Sequence, residues 1–173
     1  MTGPQRYREP KNPLSLHDRA LGLLAVRARS RRELQTRLSR AGFDPEQVEA
    51  ELERLASVGL IDDEAFARQF VEHAVTSRLA GRRAVATSLA AKGVDRGTVE
   101  LVLEEIGGDD VSRAAELAAT RAGRLACLPP EVAFRRLLSV LLRRGYEPSV
   151  ARKAASDALG LASAAGSEGP PEP

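Results

Sequence analysis

The residue types that do acid–base, nucleophilic or metal chemistry are scarce in this 173-residue chain and poorly spaced for it. Its two histidines, His17 and His73, have no partner at metal-ligand spacing, so both are expected to be surface or edge residues. Cys127 lies in the apolar run 125–128, which predicts a buried and unreactive thiol. The acidic run 62–64 opens a helical stretch where neighbouring side chains point around the axis, so it is expected to cap the helix rather than bind a metal. The sequence therefore predicts no enzyme, no metal site and no cofactor.

Arginines, by contrast, recur in a pattern along the chain. The 26 basic and 24 acidic residues give a formal net charge of only +2, but the stretches 27–40, 78–92 and 131–144 are rich in arginine and poor in acids. The planar guanidinium group binds phosphate or carboxylate through two hydrogen bonds at once. One such stretch is usually the solvated face of a helix, but its recurrence favours a binding surface for a polyanion or a charged protein. The candidate contact residues are Arg31, Arg32, Arg37, Arg40, Arg78, Arg82, Arg83, Lys92, Arg135, Arg136, Arg143 and Arg144.

A glycine followed by an apolar residue occurs three times with nearly constant spacing. The junctions are Gly42-Phe43, Gly93-Val94 and Gly145-Tyr146, which lie 51 and 52 residues apart (42 to 93, then 93 to 145). A leucine stands four residues before each glycine, and a leucine or valine eight residues before it. Such self-similarity is typical of repeat proteins, and the glycine is typical of a left-handed turn that ends a helix. Each junction is therefore predicted to connect the middle and third helices of a three-helix repeat.

The apolar spacing between these junctions is helical throughout, and no stretch alternates like a β-strand. Helix starts are indicated by Ser30 with Glu33, by Asp44 with Pro45, and by Asp95. The prediction is an all-α protein of three tandem three-helix repeats, whose alanine-rich last helix, at about 148–159, is expected to pack weakly. The predicted segments are a flexible basic arm (1–14), the repeats (15–60, 61–108 and 109–160) and a disordered tail rich in proline, glycine and serine (161–173).

Nothing in the sequence indicates secretion or membrane insertion. The first residues are polar and basic and lack the apolar segment of a signal peptide. No apolar run approaches the roughly 18 residues that a membrane-spanning helix needs. A single cysteine leaves no partner for an intramolecular disulfide bond. We therefore expect a cytoplasmic location and no membrane partner.

The second repeat carries a more specific pattern. The run 59–70, GLIDDEAFARQF, is followed by Arg78, by Gly81-Arg82, by Leu89 and by Lys92-Gly93-Val94. This pattern resembles that of the bacterial RecX family, whose members regulate the RecA recombinase. The first repeat is similar as well, in the run 30–38, SRRELQTRL. The resemblance extends over residues 15–160.

The resemblance implies both a shape and a function. Proteins of this family are elongated, curved stacks of three-helix repeats that lie along the groove of the RecA–DNA filament. They inhibit the ATPase, strand-exchange and co-protease activities of RecA, and so act as negative regulators of DNA recombination, DNA repair and the SOS response. The implied partner is the RecA filament, with weaker contacts, not specific for sequence, to the backbone of single- and double-stranded DNA.

Two other functions are compatible with the residues. A direct DNA-binding helical array of the helix-turn-helix kind would use similar three-helix units. Its third helices should enter the DNA groove, but these are acidic in the first two repeats. A protein–protein scaffold without nucleic-acid contacts would bind with little dependence on salt, whereas phosphate contacts make binding steeply salt-dependent.

Overall fold

The computed structural model describes residues 14–105 and 108–161, and within these ranges the chain is helical with no β-strand. This confirms the all-α fold class. The predicted arm at 1–14 and the predicted tail at 161–173 fall outside the described residues, except for Leu14 and Leu161. The helices of the described part are α1 (Leu16–Val26), α2 (Arg31–Arg40), α3 (Pro45–Ser57), α4 (Asp63–Arg78), α5 (Arg82–Ala91), α6 (Arg96–Glu105), α7 (Asp110–Ala122), α8 (Pro130–Arg143) and α9 (Pro148–Ala158), with a 3₁₀ turn at Gly123–Leu125.

The chain divides into two compact units at the start of α4. The first unit ends at Asp62 and contains α1 to α3, and the second begins at Asp63 and contains α4 to α9. Each consecutive set of three helices encloses a cluster of buried apolar side chains. Because the second and third sets share one compact unit, the boundary between them at residue 108 stays a prediction.

Local side-chain chemistry starts the helices where the sequence indicates. The Ser30 hydroxyl accepts a hydrogen bond from the Glu33 amide at 3.2 Å, and the Asp95 carboxylate accepts one from the Thr98 amide at 2.9 Å. Asp44 accepts from two amides of the first turn of α3, at 3.0 and 3.1 Å. Each acceptor satisfies an amide that has no partner within its own helix. The predicted starts of α2, α3 and α6 are therefore confirmed.

The three repeated glycines all adopt the left-handed conformation, with φ of +93° at Gly42, +80° at Gly93 and +86° at Gly145. In each case the glycine amide donates to the carbonyl three residues earlier, and the next amide donates to the carbonyl five residues before it. This pair of hydrogen bonds closes the helix and turns the following apolar residue inward. Tyr146 is only 1 % exposed and Val94 only 5 %. The repeated pattern thus places Val94 and Tyr146 in the core, whereas the half-buried Phe43 packs against the core of the first unit.

The alanine-rich α9 is fully integrated into the core of the second unit. Ala151 and Ala155 are completely buried, in a cluster that includes Leu117, Leu141 and Tyr146. Because alanine adds little bulk, α9 can lie close to α7 and α8, whose larger side chains fill the space between the helices. The expectation of weak packing is therefore wrong, since the partner helices supply the volume that α9 lacks.

Cys127 is exposed, so the prediction of a buried thiol is wrong. Helix α7 ends at Ala122, and the residues that follow the 3₁₀ turn form the connection to α8. A connecting segment has no helical face to turn toward a core and usually runs over the surface. The apolar neighbours of Cys127 therefore do not determine its burial.

His17 of α1 does not stand alone, because it meets an acidic residue of α3. Its Nδ1 lies 2.8 Å from Oε1 of Glu51, whose side chain is 12 % exposed. Arg54 donates two further hydrogen bonds to the same carboxylate, at 3.0 and 2.8 Å. Burial raises the pKa of Glu51, but the hydrogen bonds from Arg54 and His17 outweigh it, so the pKa lies below its ordinary value. This cluster connects α1 to α3 in the first unit.

The substitution Glu51→Gln is expected to make the free energy of unfolding of the first unit less dependent on pH under acidic conditions. A carboxylate with a lowered folded pKa contributes stability above its unfolded pKa, about 4.3 for glutamate, and that contribution is lost as the pH falls through the folded value. The wild type should therefore lose stability more steeply than Glu51→Gln below about pH 4.3. Urea unfolding followed by circular dichroism at successive pH values measures this, with Glu46→Gln, an exposed glutamate of the same helix, as the matched control. Parallel profiles for wild type and Glu51→Gln would contradict the role of this carboxylate.

Candidate charged interface

The position of each candidate residue relative to the glycine that ends its helix decides which way its side chain faces. Arg32, Arg83 and Arg135 lie on the middle helices α2, α5 and α8, each ten residues before that glycine. Each also stands two residues before a buried leucine or valine of the core. Two residues turn an α-helix by about 200°, so these guanidinium groups point away from their cores. All three residues are exposed, and we call them the outer arginines.

The preceding position, eleven residues before the glycine, faces neighbouring helices instead. Arg31 donates to Glu49 of α3 at 2.5 Å. Arg82 donates to the carbonyl of Leu103, in the last turn of α6, at 3.1 Å. In α8 the same position is Phe134, which is half-buried. This position therefore serves packing, and the candidates Arg31 and Arg82 are engaged inside their own units.

Lys92 and Arg144, each one residue before the glycine, are also engaged inside the second unit. The Lys92 ammonium group lies 5.8 and 5.6 Å from the ring centroids of Phe66 and Phe70, which is a cation–π arrangement. The Arg144 guanidinium donates to the carbonyl of Arg78. Both side chains belong to half-buried residues, so packing explains their positions without an external partner.

The remaining candidates are exposed on their helices. Arg143 donates to Ser139, one turn earlier, at 2.6 Å. Arg83 approaches Glu147 at 3.8 Å, and exposed ion pairs of this kind contribute at most about 1 kcal/mol. Such contacts are readily exchanged for a partner's phosphate or carboxylate. Arg82 is exposed as well although it donates to Leu103, and the other exposed candidates are Arg32, Arg37, Arg40, Arg78, Arg83, Arg135, Arg136 and Arg143.

Arg29 has a structural role that sequence reasoning missed. It is 7 % exposed, and its Nε donates to the carbonyl of Leu23, in the last turn of α1, at 2.9 Å. Burial lowers its pKa, Arg27 and Arg37 lower it further, and Glu33 opposes them. Arg29 thus closes the C-terminal end of α1, where carbonyls lack partners within the helix. Its place just after a helix end is the sequence signal for this role, but the exposed Arg27 shares that place, so the signal alone does not separate the two residues.

Some of the acidic charge on the third helices is neutralised within the same unit. Arg68 of α4 pairs with Glu105 of α6 at 3.0 Å, and Arg96 pairs with Glu100 on α6 at 2.7 Å. Other acids, such as Glu53 of α3, are exposed. The first two sets of three helices thus present arginines on their middle helices and carboxylates on their third helices. A partner surface that carries both signs of charge is complementary to such an arrangement.

Within residues 14–105 and 108–161, no group of histidine, cysteine and acidic side chains is placed to hold a metal ion. None of the helices in the same ranges combines the length and apolarity that crossing a membrane requires.

Known proteins match this chain over most of its length. Two family models match it, those of the first three-helix domain of RecX over residues 17–55 and of the second over residues 62–103. The regulatory protein RecX of Mycobacterium sp. (strain KMS) is 38 % identical over 156 residues, covering 87 % of this chain and 85 % of that one. The same protein of Mycolicibacterium smegmatis is 42 % identical over 137 residues, covering 76 % and 72 %. The crystal structure of RecX from Lactobacillus salivarius has a TM-score of 0.70 at 20 % identity, covering 84 % of this chain and 95 % of that one, so the fold is shared.

Proposed function

This chain belongs to the RecX family of regulatory proteins, and from that premise we propose that it is a negative regulator of the RecA recombinase. It binds the RecA–DNA filament and inhibits the ATPase, strand-exchange and co-protease activities of RecA. In this way it tempers DNA recombination, DNA repair and the SOS response in the cytoplasm. Binding alone accounts for the role, so the proposal needs neither a catalytic group nor a cofactor. Contacts to the DNA backbone add a weaker component that is not specific for sequence.

The observation that carries the proposal is the repeated position of the outer arginines. Arg32, Arg83 and Arg135 occupy the same place on three successive middle helices, and all are exposed. Equivalent groups on successive repeats suit a partner that itself repeats, as a helical filament does. The formal net charge of only +2, with exposed carboxylates on α3 and α6, favours a protein–DNA surface over bare DNA as the partner.

The alternative is a direct DNA-binding helical array. In a helix-turn-helix unit the recognition helix enters the major groove and its side chains contact base edges and phosphates. The corresponding helix of the first unit is α3, which exposes Glu46 and Glu53. Carboxylates in that position would meet the phosphate backbone with like charge. This arrangement is unfavourable for groove insertion and supports the filament regulator instead.

The first experiment is a titration of this protein into RecA that is hydrolysing ATP on single-stranded DNA. Because the relatives above are mycobacterial, mycobacterial RecA is the suitable enzyme. We expect strong inhibition of the ATPase at protein concentrations well below that of RecA. A regulator that acts on the filament can affect many subunits at once, whereas a competitor for DNA must first cover the DNA. No inhibition at equal concentrations would overturn the proposal.

A parallel measurement separates the alternative from the proposal. Fluorescence anisotropy with labelled single-stranded DNA, without RecA, gives the affinity for DNA alone as a function of salt. The proposal expects weak binding whose logarithm falls with log salt by about 0.7 for each phosphate contacted. Tight binding to DNA alone, with ATPase inhibition only when the DNA is saturated, would favour the DNA-binding array.

A further inference from the structure

Within the second unit, the start of α5 touches the turn between α8 and α9 through backbone atoms. The Gly81 amide donates to the Arg144 carbonyl at 2.8 Å, and the Arg83 amide donates to the Gly145 carbonyl at 3.3 Å. A Cβ on Gly81 would lie 2.6 Å from the carbonyl carbon of Gly145. A Cβ on Gly145 would fall inside contact distance of the backbone nitrogen of Ala84. Only glycine at both positions permits this approach.

The connection between α4 and α5 is held by the same turn. Leu79 has φ of +45°, a left-handed conformation that costs a residue with a Cβ and persists where its surroundings impose it. Its carbonyl accepts a hydrogen bond from the Tyr146 hydroxyl at 2.7 Å, and the carbonyl of Arg78 accepts one from Arg144. Burial raises the pKa of Tyr146, so the phenol stays a donor at neutral pH.

A third contact comes from α7. The residue before α5 is Gly81, which has no side chain to cap the helix. Asp110 at the start of α7 supplies the acceptor instead, since its two carboxylate oxygens lie 3.3 and 3.2 Å from the amide of Arg82. Arg113 pairs with the same carboxylate. In the first unit the corresponding residue, Ser30, caps its own helix α2, so the cap supplied by another helix is a feature of the second unit.

From these contacts we infer that Asp110, Arg144 and Tyr146 are positioning residues that lock α4–α6 to α7–α9. They bind the start of α5 and the connection before it through backbone groups, which leaves little freedom of rotation between the two sets of helices. The lock fixes the separation of the outer arginines Arg83 on α5 and Arg135 on α8. This functional consequence rests on the proposed function, in which both arginines contact one repeating partner.

The lock can be tested without RecA, using the exposed Cys127 as one spin-label site. The substitution Ser77→Cys at an exposed position of α4 provides the other, and pulsed electron paramagnetic resonance gives the distribution of distances between them. We expect a narrow distribution for the protein that is otherwise wild type. The double substitution Asp110→Ala with Tyr146→Phe should broaden or shift it. Asp109→Ala is the matched control, because Asp109 caps its own helix α7 through the Val111 amide.

Each outcome decides one part of the inference. An unchanged distribution in the double variant would overturn the lock, and so would equal broadening by Asp109→Ala. Tyr146→Phe alone keeps the ring in the core. If circular dichroism shows that the double variant has lost helicity, the distance distribution is measured in this single variant instead, and an unchanged distribution there would also overturn the lock. The second readout is RecA inhibition, where we expect the double variant to require roughly tenfold more protein for half-maximal effect. A broadened distribution with unchanged inhibition would overturn the positioning role, whereas failure of the wild type to inhibit would count against the proposed function alone.

Discussion

Reversing the charge of the three outer arginines together, Arg32→Glu, Arg83→Glu and Arg135→Glu, is expected to abolish inhibition of RecA. Each guanidinium offers a partner hydrogen bonds to a charged group, which are stronger than neutral ones, and each glutamate replaces that attraction with repulsion. Loss of three such contacts weakens binding by roughly a thousandfold or more. The measurements are the RecA ATPase titration and direct binding to preformed filaments. Helical content should be unchanged, because all three residues are exposed and face away from their cores.

A second set of reversals controls for net charge. Arg19→Glu, Arg124→Glu and Arg152→Glu also change three exposed arginines, and both triple variants move the formal net charge from +2 to −4. The control set lies on α1, on the 3₁₀ turn and on α9 rather than on the middle helices. We expect the control variant to inhibit nearly as well as the wild type. Equal loss of inhibition in both variants would mean that only overall charge matters, and full inhibition by the first variant would exclude the outer arginines as contacts.

The repeat structure could be predicted from the sequence because helix ends are determined locally. A glycine free to adopt positive φ, followed by an apolar residue, needs only the last turn of its own helix to form the pair of closing hydrogen bonds. Gly42 and Gly93 therefore each indicate the end of a helix, although the residues around them differ. The caps at Ser30 and Asp95 are local for the same reason, since each side chain accepts from an amide three residues ahead.

The roles of the individual arginines were harder to predict, because they depend on one-residue shifts of register. The pairs Arg31-Arg32 and Arg82-Arg83 stand eleven and ten residues before their glycines. The third pair, Arg135-Arg136, stands ten and nine residues before Gly145. One residue rotates a side chain by about 100°. The third pair is therefore not equivalent to the other two, and counting from the glycine identifies Arg135 as the partner of Arg32 and Arg83.

Other roles depend on contacts that no local pattern contains. The acceptor for the Arg82 amide is Asp110, 28 residues later, and the acceptor for the Arg144 guanidinium is the carbonyl of Arg78, 66 residues earlier. In the sequence Arg82 and Arg144 look like exposed cations, but the Arg82 amide and the Arg144 guanidinium both help to hold the second unit together. Tertiary packing decides such roles, so they become visible only when distant segments are placed next to each other.

The substitution Gly145→Ala is expected to destabilise the second unit far more than Gly42→Ala destabilises the first. Both glycines have similar positive φ, +86° and +93°, so the backbone penalty of about 1–2 kcal/mol applies to each. A Cβ at Gly42 meets no atom within 4 Å, whereas one at Gly145 overlaps the backbone of Ala84. Relief of that overlap must separate α5 from the turn before α9, which adds about 1–3 kcal/mol or more. The comparison thus separates the free-energy cost of the overlap with Ala84 from the cost of the positive φ, which both glycines share.

Hydrogen exchange of the full chain, followed by mass spectrometry, measures the two costs in one experiment because peptides from each unit report separately. Protection of α8 and α9 should fall in Gly145→Ala by about 2–5 kcal/mol, while protection of α2 and α3 falls in Gly42→Ala by only about 1–2 kcal/mol. The helices of the unit that is not substituted should be unaffected in each variant. Equal losses for the two substitutions would show that the close approach of Gly145 to α5 does not exist in solution, and the lock between the two sets of helices would fail with it.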